Sequence, residues 1–173
     1  MVKADPANKE KLLTDSYEQL NDAIKKITVL TNSIDTPSMI QFGFLRSVEL
    51  LADQINLKGE LQITLLNEAD DLGKLDRLRN LVIYRIIQEK LNNVLQHAHA
   101  TAVKIHIQST GKDILLSIAD NGIGFDMRQS KPGSSLQKIK SRVEYYNGKM
   151  QIDSEPGKGC TLNISIPIQW VEE

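Results

Sequence analysis

The spacing of apolar positions changes along this chain, and each change marks a boundary between predicted elements. Residues 9–30 carry apolar side chains at helical spacing among Lys, Glu, Asp and Gln, which predicts a first helix. A second helix is predicted to begin near Pro37 and to run to about Asn56, because proline suits a first helical turn. Residues 1–58 are therefore predicted to be a helical N-terminal segment.

Alternation of apolar and polar residues predicts five short strands in residues 59–173, centred on Ile63, Ile105, Leu116, Ile152 and Ile164. The second and third strands are joined by the turn 109–113 and are predicted to form an antiparallel hairpin. The fourth and fifth flank a second turn at 155–159.

Two helices are predicted between the strands. The longer opens at Leu75 or Asp76, and its apolar residues at helical spacing are Leu78, Leu81, Val82, Ile86, Leu91, Val94 and Leu95. The shorter follows a loop at 127–133 that has no periodicity and is interpreted as a lid. The predicted fold class is α/β, a two-layer sandwich in which a mixed five-stranded sheet carries its helices on one face.

Composition narrows the possible functions without choosing one. The chain has 173 residues, of which 40% are hydrophobic, so it can bury the core of one domain. A net charge of −1 without a stripe of Lys and Arg argues against a nucleic-acid partner. No apolar run is long enough for a bilayer, so no membrane contact by this chain is expected. One cysteine, Cys160, fits a reducing, cytoplasmic setting.

Two short motifs carry candidate chemistry. The third predicted strand ends in Asp120-Asn121-Gly122-Ile123-Gly124, where the glycines can adopt positive φ and the carboxylate can hold a ligand. On the long helix, Glu89, Asn93 and His97 are four residues apart and share one face. They can serve as a base, a metal ligand and a phosphate partner. Taken alone, the first motif favours a plain turn and the second a solvated polar stripe.

Together the motifs resemble the nucleotide-binding (Bergerat) fold of sensor histidine kinases, gyrase-type topoisomerases, the large heat-shock chaperone and mismatch-repair ATPases, the GHKL superfamily. The order is the same: an Asn-bearing helix, a hairpin, then Asp-x-Gly-x-Gly. Residues 81–98 look most like histidine kinases with a short nucleotide lid, the NarL/DesK-type group, and the resemblance covers residues 70 to 168. It implies ATP and Mg²⁺ as cofactors and an ATP-binding catalytic domain at 59–173.

The resemblance also implies roles for single residues. Asp120 would accept a hydrogen bond from the adenine amino group, Gly122 and Gly124 would form the close turn beside the base, and Ile123 would line the pocket. Asn93 matches the family's magnesium ligand, and Glu89 the carboxylate that orients or deprotonates the attacking group. For His97, a place near the phosphates and a packed position at a helix end stay equally open.

Two positions depart from the family's pattern. The second glycine box, usually Gly-x-Gly-Leu, reads Gly133-Ser134-Ser135-Leu136. A Cβ at Ser135 can block close approach to the phosphates, which puts turnover in doubt, whereas its hydroxyl can donate to a phosphate oxygen. Where the family commonly has Thr after a glycine to help hold the base, this chain has Cys160, and the next residue, Thr161, is the candidate to hold the base in its place.

Histidine kinases phosphorylate a histidine that is normally followed by Asp or Glu, and the resemblance does not extend to such a histidine in this chain. His97, His99 and His106 all lie within the predicted nucleotide domain, and none precedes an acidic residue, so the acceptor is expected outside this chain. The sequence is interpreted as the catalytic end of a longer protein that can be membrane-anchored, with 1–58 as the end of a dimerisation region. Implied partners are the dimerisation and phosphoacceptor region of the same protein, a response regulator and a second copy in a possible homodimer.

The leading hypothesis is the catalytic domain of a two-component sensor histidine kinase, which transfers the γ-phosphoryl group of ATP to a histidine. One alternative is a degenerate nucleotide-binding or partner-binding module with little or no turnover. Another is a serine kinase of the anti-sigma-factor type, although residues 84–97 favour a histidine kinase.

Overall fold

The computed structural model describes residues 15–17, 19–20, 37–69, 72, 75–127 and 134–168. Residues 15–17 and 19–20 are helical, as the pattern predicts, and the rest of the predicted first helix lies outside the described residues. So do Gly133 and all of the predicted lid except Met127.

The described residues from 37 onwards form helices and strands in the predicted order. The α-helices are α1 (Pro37–Asn56), α2 (Arg77–Asn93) and α3 (Ser134–Tyr145), and a π-helical turn at Val94–Ala98 follows α2 directly. The strands are β1 (Gln62–Glu68), β2 (Ala102–Ser109), β3 (Asp113–Asp120), β4 (Lys149–Ser154) and β5 (Cys160–Pro167).

The five strands form one mixed sheet with the order β1-β2-β3-β5-β4. β1 pairs with β2 in parallel, as the helical crossover through α2 requires, and all other pairs are antiparallel. The β2–β3 hairpin aligns Val103 with Asp120, and β5 places Cys160 opposite Asp120 on its other side. The predicted α/β sandwich with a mixed five-stranded sheet is confirmed.

One face of the sheet forms the core with the helices. Ile105, Ile118 and Leu162 on the strands are fully buried, as are Ile86 and Ile139 on the helices. Burial alternates along β3 and β5, which is the result expected when one sheet face is covered.

Two apolar residues of the long predicted helix do not join the core. Leu78 is 42% exposed and Leu95 is 46% exposed, although both follow the helical spacing of the buried residues. Leu78 lies in the first turn of α2 and Leu95 lies after its last residue. The helical spacing of apolar residues therefore continues beyond the buried part of the helix.

Helix α1 is kinked at Gly43, where φ is 76° and ψ is 179°. At its other end, the Asn56 side chain pairs with the main chain of Ile63, accepting from N–H at 2.6 Å and donating to C=O at 3.1 Å. This contact fastens α1 to β1. Residues 35–173 form one compact unit. The expected division between residues 58 and 59, into a dimerisation part and a catalytic part, stays a prediction. None of the helices within the described ranges is long and apolar enough to cross a membrane.

Candidate functional site

A cavity of about 390 Å³ opens where the end of α2, the end of β3 and the start of α3 meet. Its volume lies within the range of about 300–1,000 Å³ that is usual for small-molecule sites. Apolar walls come from the π-helical turn, from the loop after β3, and from α3 and β5, through Val94, Ala98, Ile123, Phe125, Leu136 and Cys160. Polar groups enter from Lys90, Asn93, His97, Asp120 and Ser135.

Most of the candidate residues from the two motifs and from the second glycine box line this one cavity. Those that do are Asn93, His97, Asp120, Ile123, Gly124, Ser135 and Leu136. Glu89, Gly122 and Thr161 are not part of the cavity lining, and Gly133 is outside the described residues. Side chains far apart in sequence thus surround a shared space, as a ligand site requires.

Asn93 lines the cavity from the end of helix α2, whose N-terminus is capped and whose middle is buried. Asp76 caps the helix, accepting the N–H of Arg79 at 3.0 Å, and this confirms the predicted start. Asn93 is the last α-helical residue, and His97 still reaches the cavity from the π-helical turn. Asn92 is exposed and is not part of the lining.

Asp120 is held in place by two hydrogen bonds. Its Oδ2 accepts from the Lys90 ammonium at 2.8 Å, and its Oδ1 accepts from the Gly122 N–H at 3.0 Å. Side-chain exposure is 6% for Lys90 and 1% for Asp120, so the ion pair is buried. The sequence analysis missed Lys90, although its position gives a signal. Lys90 lies between Ile86 and Val94 at intervals of four, so it is a charged residue on an otherwise apolar side of the helix.

The glycines after β3 allow protein segments to approach each other. Gly124 has φ of 58°, as predicted, but Gly122 does not have positive φ. A Cβ at Gly122 would overlap the carbonyl oxygen of Ala98, which accepts the N–H of Ile123 at 2.8 Å. A Cβ at Gly124 would overlap the carbonyl oxygen of Glu155. Both glycines therefore let the segment after β3 pack against the protein's own main chain.

The turn between β4 and β5 contains two glycines that allow a matched test of close approach between main-chain segments. Gly157 and Gly159 have φ of 78° and 76°, but a Cβ at Gly159 would overlap the carbonyl oxygen of Asp120, whereas Gly157 has open space. Gly159→Ala is expected to lower the free energy of unfolding by about 1–3 kcal/mol more than Gly157→Ala, the usual cost of overpacking. Urea unfolding of both variants measures the difference. Equal losses would mean that positive φ alone matters.

Glu89 lies one turn before Asn93 and faces the start of α3. Its Oε1 accepts a hydrogen bond from the Ser135 hydroxyl, and the Lys138 ammonium lies 3.9 Å away. Burial lowers the pKa of Arg142, and the negative charge of Glu89 opposes that shift, which places a second cation near the carboxylate. The predicted base is thus engaged by Ser135, the residue that replaces the family's glycine.

Cys160 and Thr161 are neighbours in β5, so their side chains point to opposite faces of the sheet. Cys160 is buried and lines the cavity opposite Asp120, while Thr161 falls on the alternate, partly buried face of β5. The expectation that Thr161 helps to hold a base therefore does not fit its position, because neighbouring residues in a strand point to opposite faces.

The donor set limits how a metal ion could bind. No group of three or more His, Cys, Asp or Glu side chains suited to a metal occurs among the residues that the structure describes. Mg²⁺ commonly takes only one or two protein ligands and completes its shell with water and substrate phosphates. The amide oxygen of Asn93 fits that kind of site.

Comparison with curated proteins finds sensor histidine kinases. ComP of Bacillus subtilis, a sensor histidine kinase, is 30% identical over 159 residues, which cover 90% of this chain and 20% of ComP. DegS of Brevibacillus brevis, a signal transduction histidine-protein kinase/phosphatase, is 38% identical over 93 residues, which cover 53% of this chain and 24% of DegS. The chain therefore spans a quarter or less of the length of these two relatives.

Solved structures share the fold. The blue-light activated histidine kinase EL346 of Erythrobacter litoralis aligns with a TM-score of 0.63 at 16% identity, covering 96% of this chain and 61% of that one. Full-length ShkA in complex with AMPPNP aligns with a TM-score of 0.57 at 17% identity, covering 99% of this chain and 41% of that one.

The family profile described as histidine kinase-, DNA gyrase B-, and HSP90-like ATPase matches residues 79–169, which contain both motifs, the cavity and four of the five strands. This match extends over more than half of the 173 residues. The chain belongs to the family of histidine kinase-, DNA gyrase B- and HSP90-like ATPases.

Proposed function

We propose that this chain is the catalytic domain of a two-component sensor histidine kinase and transfers the γ-phosphoryl group of ATP to a histidine outside the chain. The observation that carries the proposal is the shared cavity of Asn93 and Asp120. The names of the relatives support a histidine kinase rather than a serine kinase, and ShkA has an ATP analogue bound. The proposed partners are a dimerisation region of the same protein and a response regulator.

The cavity offers separate surroundings for the base and the phosphates. Ile123, Phe125 and Leu136 give apolar contact for a purine, and Asp120 gives an acceptor for its amino group. The first turn of α3, whose Ser135 lines the cavity, offers main-chain N–H groups to phosphate oxygens. Asn93 would hold Mg²⁺, which supplies positive charge to the phosphates when bound.

The direct test is the chemical identity of the phosphorylated product. The chain, γ-labelled ATP, Mg²⁺ and the dimerisation region of the same protein are expected to yield label that is acid-labile and alkali-stable, as a phosphohistidine is. Acid-stable, alkali-labile label would indicate phosphoserine and contradict the proposal. Absence of label at full ATP occupancy would favour the module with no turnover.

Glu89 is proposed to orient or deprotonate the attacking imidazole. Replacement by glutamine keeps the shape and the contact with Ser135 but removes the basic oxygen, so transfer is expected to fall by about 10²–10⁴-fold with ATP affinity nearly unchanged. Single-turnover transfer and calorimetry measure the two quantities. The matched control is Glu144→Gln, on the exposed side of α3. A loss of ATP affinity equal to the loss of rate would assign Glu89 to binding instead.

Ser135 is expected to restrain turnover because its hydroxyl engages Glu89 and its Cβ occupies the family's glycine position. Ser135→Gly is expected to raise the transfer rate by about tenfold or more, since one hydrogen bond to a charged group contributes about 1.5–3 kcal/mol and each 1.4 kcal/mol is about a factor of ten. Ser135→Ala separates the causes: an equal gain identifies the hydroxyl, and a gain for glycine alone identifies the Cβ. Unchanged rates in both variants would show that Ser135 does not restrain transfer.

A further inference from the structure

The Lys90–Asp120 pair lies in the wall of the cavity. Lys90 projects from the last turn of α2, Asp120 ends β3, and both line the cavity although both are buried. Removing two charges from water costs several kcal/mol for each ion, and well-packed apolar residues often serve stability as well or better. A buried pair at the edge of a ligand cavity therefore calls for a role beyond stability.

Both members of the pair keep unused hydrogen-bonding capacity. An ammonium group has three donors, and among the residues that the structure describes, Asp120 is the acceptor for Lys90. A carboxylate has about four acceptor positions, and Asp120 accepts from Lys90 and from the Gly122 N–H. The cavity wall thus presents a donor and an acceptor 2.8 Å apart.

Adenine presents the complementary arrangement on one edge. Its amino group on C6 is a donor, and the adjacent ring nitrogen N1 is an acceptor. We propose that Lys90 is a specificity-determining residue that donates to N1 of adenine while Asp120 accepts from the amino group, an inference that rests on the proposed binding of ATP. In the same orientation, guanine would set its oxo group against Asp120 and its N1–H against Lys90.

ATP analogues test the contact atom by atom. 1-Deaza-ATP has a C–H in place of N1, and purine riboside triphosphate lacks the amino group. In calorimetry of the 173-residue chain with Mg²⁺, the affinity for 1-deaza-ATP is expected to be lower than that for ATP by about tenfold or more. This is the loss that follows when a charged donor has no acceptor. In Lys90→Met the ratio between these two ligands is expected to fall to about one.

A second substitution separates contact from architecture. Lys90→Gln keeps an N–H donor, so it is expected to restore part of the preference for ATP over 1-deaza-ATP, which an unspecific structural role would not do. Wild-type protein that binds ATP and 1-deaza-ATP equally would overturn the assignment of Lys90 and leave the proposed function intact. Wild-type protein that binds neither ligand would overturn the proposed function itself. In the same series, weaker binding of purine riboside triphosphate than of ATP would reflect the proposed contact between Asp120 and the amino group.

Discussion

Asn93→Ala is expected to remove the magnesium-dependent part of ATP binding and to lower phosphoryl transfer by about a hundredfold or more. The reason is that the Asn93 amide oxygen is the proposed hard ligand of the ion in the cavity, and a metal ion contributes several kcal/mol of charge stabilisation to phosphoryl transfer. Calorimetry with ATP in Mg²⁺ and in chelator measures the first effect, and labelled transfer measures the second.

Asn92→Ala is the matched control for this prediction. The two asparagines are neighbours on the same helix, but Asn92 is exposed and does not line the cavity. Its replacement is expected to leave both affinity and transfer within about twofold of the parent, because surface substitutions usually change little. If both variants behaved alike, the assignment of the metal ligand to position 93 would be wrong.

Asp120→Asn is expected to lower both stability and ATP affinity. The substitution leaves the Lys90 ammonium buried without its counter-charge, and breaking a buried pair in this way costs about 3–5 kcal/mol. In the proposed binding mode adenine would also lose its charged acceptor, so ATP affinity is expected to fall by about tenfold or more. Urea unfolding measures the first loss, and calorimetry at a temperature where the variant is folded measures the second.

Two further variants separate these effects. Asp113→Asn, at the opposite end of β3, is expected to change neither quantity. The double variant Lys90→Met with Asp120→Asn is expected to regain most of the stability, because no charge stays buried, but not the affinity for ATP. A single Asp120→Asn variant as stable as the parent would show that the ion pair carries no structural weight.

The fold was predictable because its signals are local. Alternation at Ile114, Leu116 and Ile118 predicts β3, and the same residues are buried against the helices. Asp76 lies at the predicted helix start and is the observed cap. Such patterns depend on neighbours within a few residues, so they can be read without knowledge of the tertiary structure.

The site was predictable only in part because its remaining features depend on contacts across the chain. The Lys90–Asp120 pair joins residues on two elements, and the position of Thr161 depends on the parity of β5 against β3. The π-helical turn at Val94–Ala98 and the close approach of Gly122 to Ala98 also have no local signature. The resemblance supplied residue roles, whereas tertiary packing decided which side chains meet.

An NMR titration can show whether Asn93 and Asp120 face one nucleotide-binding cavity. Isotope-labelled protein is titrated with AMPPNP and Mg²⁺ while two signals are followed: the side-chain amide of Asn93 and the main-chain N–H of Gly122, which donates to Asp120. Both signals are expected to shift with a single dissociation constant. Signals that stay unmoved at saturation, or that follow two different constants, would contradict a shared nucleotide site.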